Sequence, residues 1–362
     1  MSAETFVSAG APGVAAKDGR KWVRIWLYFI VALVFAMVML GGATRLTDSG
    51  LSITEWKPVH GVIPPLSDAD WHEEFSKYQL SSEYQKVNKG MSLDAFKNIF
   101  WWEWAHRFLG RFVGVAFFVP LVFFWLTGRL DSWTKPRAVA LFLMGGFQGA
   151  VGWWMVASGL VNRVDVAQER LAIHLTIACG ILTYALWLAQ RLKPAREGGG
   201  NIDAPAAGRG RALTLVGLAL AQIFLGGLVA GLHAGLTYNT WPLMDGDLVP
   251  SGLLMLDPVW WNFVDNVTTV QFQHRCGAYF LLAFALWHWW RLRFGGAPSR
   301  LVKGAAHSLG AILLQAGLGI TTLLLVVPFS LALAHQAFAV LMLMAFVIHA
   351  ASFFPPRPAF AG

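Results

Sequence analysis

Residues 23–42 read VRIWLYFIVALVFAMVMLGG, twenty residues whose one charge, Arg24, stands at the start. A continuous apolar run of this length spans the hydrocarbon core of a bilayer as a helix. A barrel strand would alternate apolar and polar positions instead. The run is too long for a cleavable signal peptide, and no small-residue cleavage site follows it. Seven further runs of the same kind lie at 108–128, 138–157, 171–191, 212–232, 276–293, 301–327 and 331–353. Eight transmembrane helices are expected.

Composition agrees. Of 362 residues, 56% are hydrophobic and 13% charged. Soluble domains carry about 25% charged residues, so a disordered chain and a water-soluble enzyme are excluded. The 18 tryptophans suit the aromatic belts of membrane interfaces. The net charge of +8 raises nucleic acid as a partner, but the basic residues sit at the ends of the runs rather than on one face. The expectation is a lipid bilayer and no nucleic acid. The two cysteines, Cys179 and Cys276, lie far apart, form no CxxC pair and define no disulfide framework.

Those basic residues also orient the chain. Arg20, Lys21 and Arg24 precede the first run. Arg129, Lys135 and Arg137 follow the second, and Arg191, Lys193, Arg196, Arg209 and Arg211 follow the fourth. Arg291, Arg293, Arg300 and Lys303 follow the sixth. All fall on one side, which is then cytoplasmic, as are both termini. The other side carries two long loops, 43–105 and 233–272, with most of the acidic residues. Within the first, 68–97 reads as an amphipathic helix near the surface.

The chain repeats itself. Leu40-Gly41-Gly42 recurs as Leu225-Gly226-Gly227, an offset of 185 shared by Gly50-Leu51 with Gly235-Leu236, Trp56 with Trp241 and Pro65 with Pro250. His106-Arg107 matches His274-Arg275 at 168, Gln148 and Gly152 match Gln315 and Gly319 at 167, and His174 matches His335 at 161. The expected architecture is two tandem four-helix bundles related by a pseudo-two-fold axis along the membrane normal. The expected divisions are a tail 1–22, a first half 23–195, a linker 196–210 rich in Gly, Ala and Pro, a second half 211–353 and a tail 354–362. Gly145, Gly146, Gly149 and Gly152 are expected to let helices approach closely. Trp56 and Trp241 are expected in matching caps over the two sites.

Four of the ten histidines are picked out by this repeat: His106, His174, His274 and His335. In each half one opens the second run and one stands near the start of the fourth, at similar depth. Such a pair can grip a haem iron from both faces. Copper or zinc remain alternatives, although no thiolates or carboxylates accompany the pairs as ligands. Cys276 lies on a different helix face from His274. A lone membrane histidine is often only packed or hydrogen-bonded; two pairs in register argue for function. His60, His72 and His233 read as solvated loop residues, and His288, His307 and His349 as interfacial ones.

The halves also differ. Glu103 stands three residues before His106, whereas Gln271 precedes His274. A carboxylate beside one imidazole can accept a proton or stabilise a developing cation; it can also simply favour a helix N-terminus. Arg45, Arg107 and Arg275 fit haem propionates or ordinary interfacial positions.

At these residues the chain resembles the haem A synthase family. The resemblance rests on Gly41-Gly42-Ala43-Thr44-Arg45-Leu46-Thr47-Asp48-Ser49-Gly50-Leu51-Ser52, on Glu55-Trp56-Lys57-Pro58, Gly61 and Pro64-Pro65, and on Glu103-Trp104-Ala105-His106-Arg107. It continues through His174, Asn239-Thr240-Trp241-Pro242-Leu243-Met244, Gln273-His274-Arg275 and His335. The motifs read closest to the alphaproteobacterial and mitochondrial branch. The resemblance implies oxidation of the C8 methyl group of haem O to a formyl group by successive hydroxylations. Water is the oxygen source, and electrons leave the site. It implies His274 and His335 on haem B, His106 and His174 on haem O or haem A, and Glu103 as the catalytic glutamate. Some members carry a cysteine pair in the first outer loop; here that loop has none, which removes a thiol relay. Expected partners are haem O synthase as donor, an electron acceptor the sequence does not identify, and a second copy in a homo-oligomer. The N-terminus lacks an Arg-rich, Ser-rich transit segment, so a bacterial inner membrane is expected rather than a mitochondrial one. Competing readings are a di-haem b-type electron-transfer cytochrome acting on quinol and a haem-binding assembly factor.

Overall fold

A computed structural model describes residues 14–55, 60–160, 162–194 and 206–355. In chain order the α-helices are α1 (Val14–Leu46), α2 (Asp68–Gln79), α3 (Ser82–Lys86), α4 (Leu93–Leu126), α5 (Thr134–Gly159) and α6 (Gln168–Arg191). They continue as α7 (Ala206–Gly231), α8 (Asn262–Asp265), α9 (Val267–Arg293), α10 (Ser299–Leu324) and α11 (Phe329–Ala351). The described residues contain no strand, only an isolated bridge between Met244 and Asp247. Seven helices, α1, α4, α5, α6, α7, α10 and α11, are long and apolar enough to cross a membrane. The chain is an all-helical, multi-pass membrane protein. The expected run 276–293 falls in α9, whose 27 residues have the length but are diluted by Arg275, Arg291, Arg293 and several amide and imidazole side chains.

The helices outrun the apolar runs on the acidic-loop side. α1 continues to Leu46, α4 begins at Leu93 and α9 at Val267. Hydropathy follows the thickness of the lipid, whereas a helix continues until its backbone groups are capped. The caps are Ser92, whose Oγ accepts from the Ala95 amide at 3.2 Å, and Asn266, whose Oδ1 accepts from the Thr269 amide at 3.0 Å. These extra turns carry Glu103, His106 and His274. At the N-terminal end, residues 14–22 belong to α1. Of the expected linker, 196–205 lies outside the described residues and the remainder opens α7.

α1 packs on α4 and α6, and α5 packs on the same two helices. α7 packs on α9 and α11, and α10 packs on that pair. The two sets meet where α6 contacts α7 and α11, and where α1 contacts α11. The core therefore runs along α1, α6, α7 and α11 through Leu27, Ile30, Leu182, Leu186, Leu343 and Phe346. Outward-facing α4 and α5 expose Phe112, Phe118, Phe142 and Phe147, a surface that lipid tails satisfy and water would not.

Two local expectations change. Of Gly145, Gly146, Gly149 and Gly152, only Gly152 meets a neighbour; a Cβ at the other three would find nothing within 4 Å. Gly145 lies on the same stripe as Gly152 two turns away, where no neighbouring helix is within reach. The amphipathic stretch 68–97 forms two short helices and the start of α4. Trp71 and Tyr78 close on Phe96 and Phe100 of α4, so their apolar side is taken up by protein. A capping box between Ser67 and Asp70 starts α2. Trp56 lies outside the described residues, so the expected caps are described only at Trp241, which donates to the Tyr279 hydroxyl at 3.1 Å.

Candidate functional site

Each of the four repeat histidines presses its ring against a glycine of an adjacent helix. A Cβ at Gly41 would lie 2.8 Å from His106 Cε1, and one at Gly152 2.9 Å from His174 Cε1. The matched glycines do the same: Gly226 at 3.3 Å from His274 Cε1 and Gly319 at 2.7 Å from His335 Cε1. Any side chain there would displace the imidazole. His106 and His174 stand on α4 and α6, which share α1 and α5 as neighbours; His274 and His335 stand on α9 and α11, which share α7 and α10. The second glycine of each Leu-Gly-Gly motif serves the contact between the two sets. Gly42 leaves room for Gln336, whose Nε2 donates to the Val38 carbonyl at 2.7 Å. A Cβ at Gly227 would lie 2.8 Å from Ala172 Cα.

Three of the histidines carry an amide. Gln148 Nε2 lies 3.1 Å from His174 Nδ1 and donates to the His174 carbonyl at 3.0 Å. Gln315 does the same to His335, at 3.1 and 3.0 Å, and Gln222 to His274, at 3.1 and 2.9 Å. All three amide oxygens are buried without a hydrogen-bond partner, and so is His106 Nδ1. Buried polar atoms are rarely left unpaired. The amide nitrogens, not the oxygens, face the rings, and two pairs of imidazoles seated on glycines are the donor set that fits haem.

Beyond His106 and His274 the two sets share a hydrogen-bonded frame and differ in charge. Glu103 is 3% exposed. Its Oε1 accepts from Arg107 Nε at 3.0 Å and Nη2 at 2.6 Å, and its Oε2 from Ser52 Oγ and the Ile53 amide, both at 2.8 Å. Arg107 Nη2 also donates to the Ile53 carbonyl at 2.8 Å. At the matched positions Arg275 Nη2 donates to Gln271 Oε1 at 3.0 Å and to the Tyr238 carbonyl at 3.0 Å. Gln271 Nε2 donates to the Ala234 carbonyl at 2.7 Å. One frame holds a carboxylate, the other a neutral amide. Four hydrogen bonds, two of them from one guanidinium, hold the buried carboxylate in place.

The structure moves several other sequence assignments. Arg45 pairs with Asp48 at 2.8 Å, donates to the Ala230 carbonyl at 3.1 Å and touches the His233 ring. His233 in turn meets Asp165 at 3.5 Å, so this residue joins a clasp between α1 and α7 instead of standing free in solvent. The His233 hydrogen bond, followed by the Arg45 charge against the cost of burial, holds the Asp165 carboxyl below its ordinary range. His288 and His349 are not interfacial: both are buried, and their Nε2 atoms pair at 2.8 Å. They lie fourteen residues beyond His274 and His335 on the same helices, and only the rotation of α9 against α11 brings them together. His307 and His72 are exposed. Cys276 is exposed and Cys179 buried, and both are free. Gln222 has no glutamine partner in the repeat, so sequence matching passed over it.

Residues 24–347 match the family model described as cytochrome oxidase assembly protein, COX15-CtaA. The chain belongs to this family. Its COX15-CtaA relatives include the heme A synthase of Chelativorans sp., 56% identical over 335 residues and covering 91% of this chain and 90% of that one. The heme A synthases of Mesorhizobium japonicum and Agrobacterium fabrum are each 53% identical, with 93% and 94% of this chain covered, and 93% and 92% of theirs. The family match thus spans all four histidines, Glu103 and the glycines against which the rings rest.

Proposed function

We propose that this protein is a haem A synthase of a bacterial inner membrane, oxidising the C8 methyl group of haem O to the formyl group of haem A. The observation that carries the reading is one charge difference within a duplicated frame: Glu103 with Arg107 on one side, Gln271 with Arg275 on the other. The long relatives of the same name, more than half identical over nine-tenths of the chain, support it. In this reading α9 is the eighth span, and the helices form two four-helix bundles about a pseudo-two-fold axis, with 23–195 and 211–353 as the halves and both termini cytoplasmic. The shared neighbours of α4 and α6, and of α9 and α11, support that arrangement, as do the matched glycine and arginine contacts.

The first pair, His106 and His174, holds the iron of the substrate, and the second, His274 and His335, holds haem B. Haem B supplies one-electron redox chemistry when bound. Methyl to formyl is a four-electron oxidation with oxygen taken from water, so positive charge develops at the carbon as electrons leave. Glu103 is a catalytic residue in this scheme: a buried, fixed anion that stabilises that charge. Arg107, Ser52 and the Ile53 amide keep it aimed. Gln271 cannot do this, so chemistry belongs to the first half and electron storage to the second. Haem O synthase is the donor of substrate. The electron acceptor is a partner outside this chain, and a second copy of the chain is a further one.

The test is haem extraction and chromatography from the purified protein, produced with and without a haem O synthase. The expected result is haem A with the wild type and loss or a stalled hydroxylated product with Glu103→Ala, haem B being retained in both. Haem B alone in every sample, from folded and loaded protein, would instead identify an electron-transfer cytochrome.

A further inference from the structure

We propose that Gln336 is the positioning residue through which electrons cross from the substrate site to the haem B site, its amide bridging the backbone that bears His335 to the backbone on which the His106 ring rests. The inference rests on the haem A synthase reading and on the two histidine pairs as iron ligands.

Gln336 follows His335 directly on α11. Its Nε2 donates to the Val38 carbonyl of α1 at 2.7 Å. In an α-helix the amide four residues on binds the same carbonyl, and that residue is Gly42. A Cβ at Gly42 would lie 2.6 Å from Gln336 Cδ, so only glycine leaves the amide its place. The preceding residue, Gly41, is the one against which the His106 ring rests. One hydrogen bond therefore joins the chain segment of a haem B ligand to the segment that seats a substrate-site ligand.

The repeat supplies the comparison. The crossing of α1 with α11 corresponds to that of α7 with α6. There Gly227 stands in place of Gly42, and Leu175 stands in place of Gln336 at the offset that relates His174 to His335. That crossing closes backbone on backbone, since a Cβ at Gly227 would lie 2.8 Å from Ala172 Cα. Leu175 has no polar group to place between helices, so packing by itself does not call for an amide. A polar side chain set between membrane helices carries a desolvation cost that leucine does not. The amide thus marks one of two equivalent crossings, and electrons have to pass between the halves. Tunnelling falls off less steeply along bonds and hydrogen bonds than across van der Waals gaps. Each transfer moves one electron: the substrate-site iron goes from ferrous to ferric as the haem B iron goes from ferric to ferrous. Gln336 is neither oxidised nor reduced, and no proton moves at it.

The experiment uses the full-length protein in detergent, without oxygen, loaded with ferric haem A and ferric haem B. A light flash on a soluble photoreductant injects one electron. Its redistribution between the two haems is followed at their separate visible bands, and midpoint potentials and thermal melting are measured beside it. The wild type is expected to show a fast phase that does not depend on protein concentration and is therefore intramolecular. Gln336→Met keeps the length of the side chain and removes the donor. It is expected to lose that fast phase, with the content and midpoint potential of both haems unchanged, because the amide bonds the Val38 carbonyl and neither imidazole. Gln336→Leu, which copies Leu175, takes its place should the methionine variant fold poorly. A merely structural bridge would lower the melting temperature and leave the fast phase intact; that result would overturn the inference while the two-haem reading stands. Wild type that carries haem B alone would overturn the haem A synthase reading, and the inference with it.

Discussion

At the scale of single residues, the site is defined by what its glycines leave open. Gly319→Ala would bring a Cβ to 2.7 Å from His335 Cε1, so the purified variant should lose most of its haem B while keeping its helical circular dichroism. Gly317→Ala, two residues away on α10 with nothing within 4 Å, should keep its haem and gain about 0.5–1 kcal/mol of helix stability. Equal haem content in the two variants would refute the close packing of ring on backbone. Glu103→Gln converts the first frame into a copy of the second. Conversion of haem O should fall about 10²–10³-fold, as expected on removing one electrostatic stabiliser, with the haem B spectrum unchanged. The histidine pairs and the Glu103–Gln271 difference were legible in the sequence because matched positions keep their spacing across the repeat. Ser52 and Gln222 were not, since their roles exist only through partners 51 and 52 residues away.

At the scale of elements, the outer layer formed by α2, α3 and the start of α4 carries its own titration. Glu83 opens α3 and is 5% exposed; its carboxylate accepts from the Tyr78 hydroxyl at 3.2 Å, and that hydroxyl accepts from Asn88 Nδ2 at 2.7 Å. Burial pushes the Glu83 carboxyl up to about 8, with the charges of Glu103, Asp165 and Asp48 adding to it. The unfolded value is about 4.3, so the folded layer binds the extra proton. Its stability is greatest at low pH and declines as pH rises from that unfolded value through about 8. Melting followed by Trp71 fluorescence should therefore show a lower midpoint at pH 9 than at pH 6, and Glu83→Gln should flatten that dependence. A wild-type midpoint that rises over this range would reverse the sign and reject the account. The long spans were readable as apolar runs, but their outer ends were not. Caps at Ser92 and Asn266 extend α4 and α9 beyond what lipid thickness requires, and those extra turns carry Glu103, His106 and His274.

At the scale of the whole molecule, stability depends on how α1 and α6 meet α7 and α11. Gly227→Val would place a Cβ 2.8 Å from Ala172 Cα, and backbone cannot yield as a side-chain tip can. A loss of about 1–3 kcal/mol is expected, read as a lower thermal midpoint with haem still bound below it. The clasp of Arg45, Asp48, Asp165 and His233 adds a pH-dependent part. Asp165 is held below its ordinary range, so its contribution is present above the unfolded value of about 3.9 and is lost as pH falls further. Asp165→Asn should lower the midpoint at pH 7 and leave less acid sensitivity below pH 4; an unchanged acid profile would remove the clasp from the account.

Run length, residue type and spacing are local properties of a chain. They were enough to specify an all-helical membrane protein, a duplicated plan, four histidines in two pairs and a carboxylate matched by an amide. Helix rotation is not local. A span in lipid is apolar on every side, so hydrophobicity does not say which face meets a neighbour. The relative rotation of distant helices decided that Gly41 and Gly226 hold rings and Gly42 and Gly227 hold the other set of helices. It also buried His288 against His349, set His233 beside Arg45, and gave three of the four repeat histidines an amide neighbour.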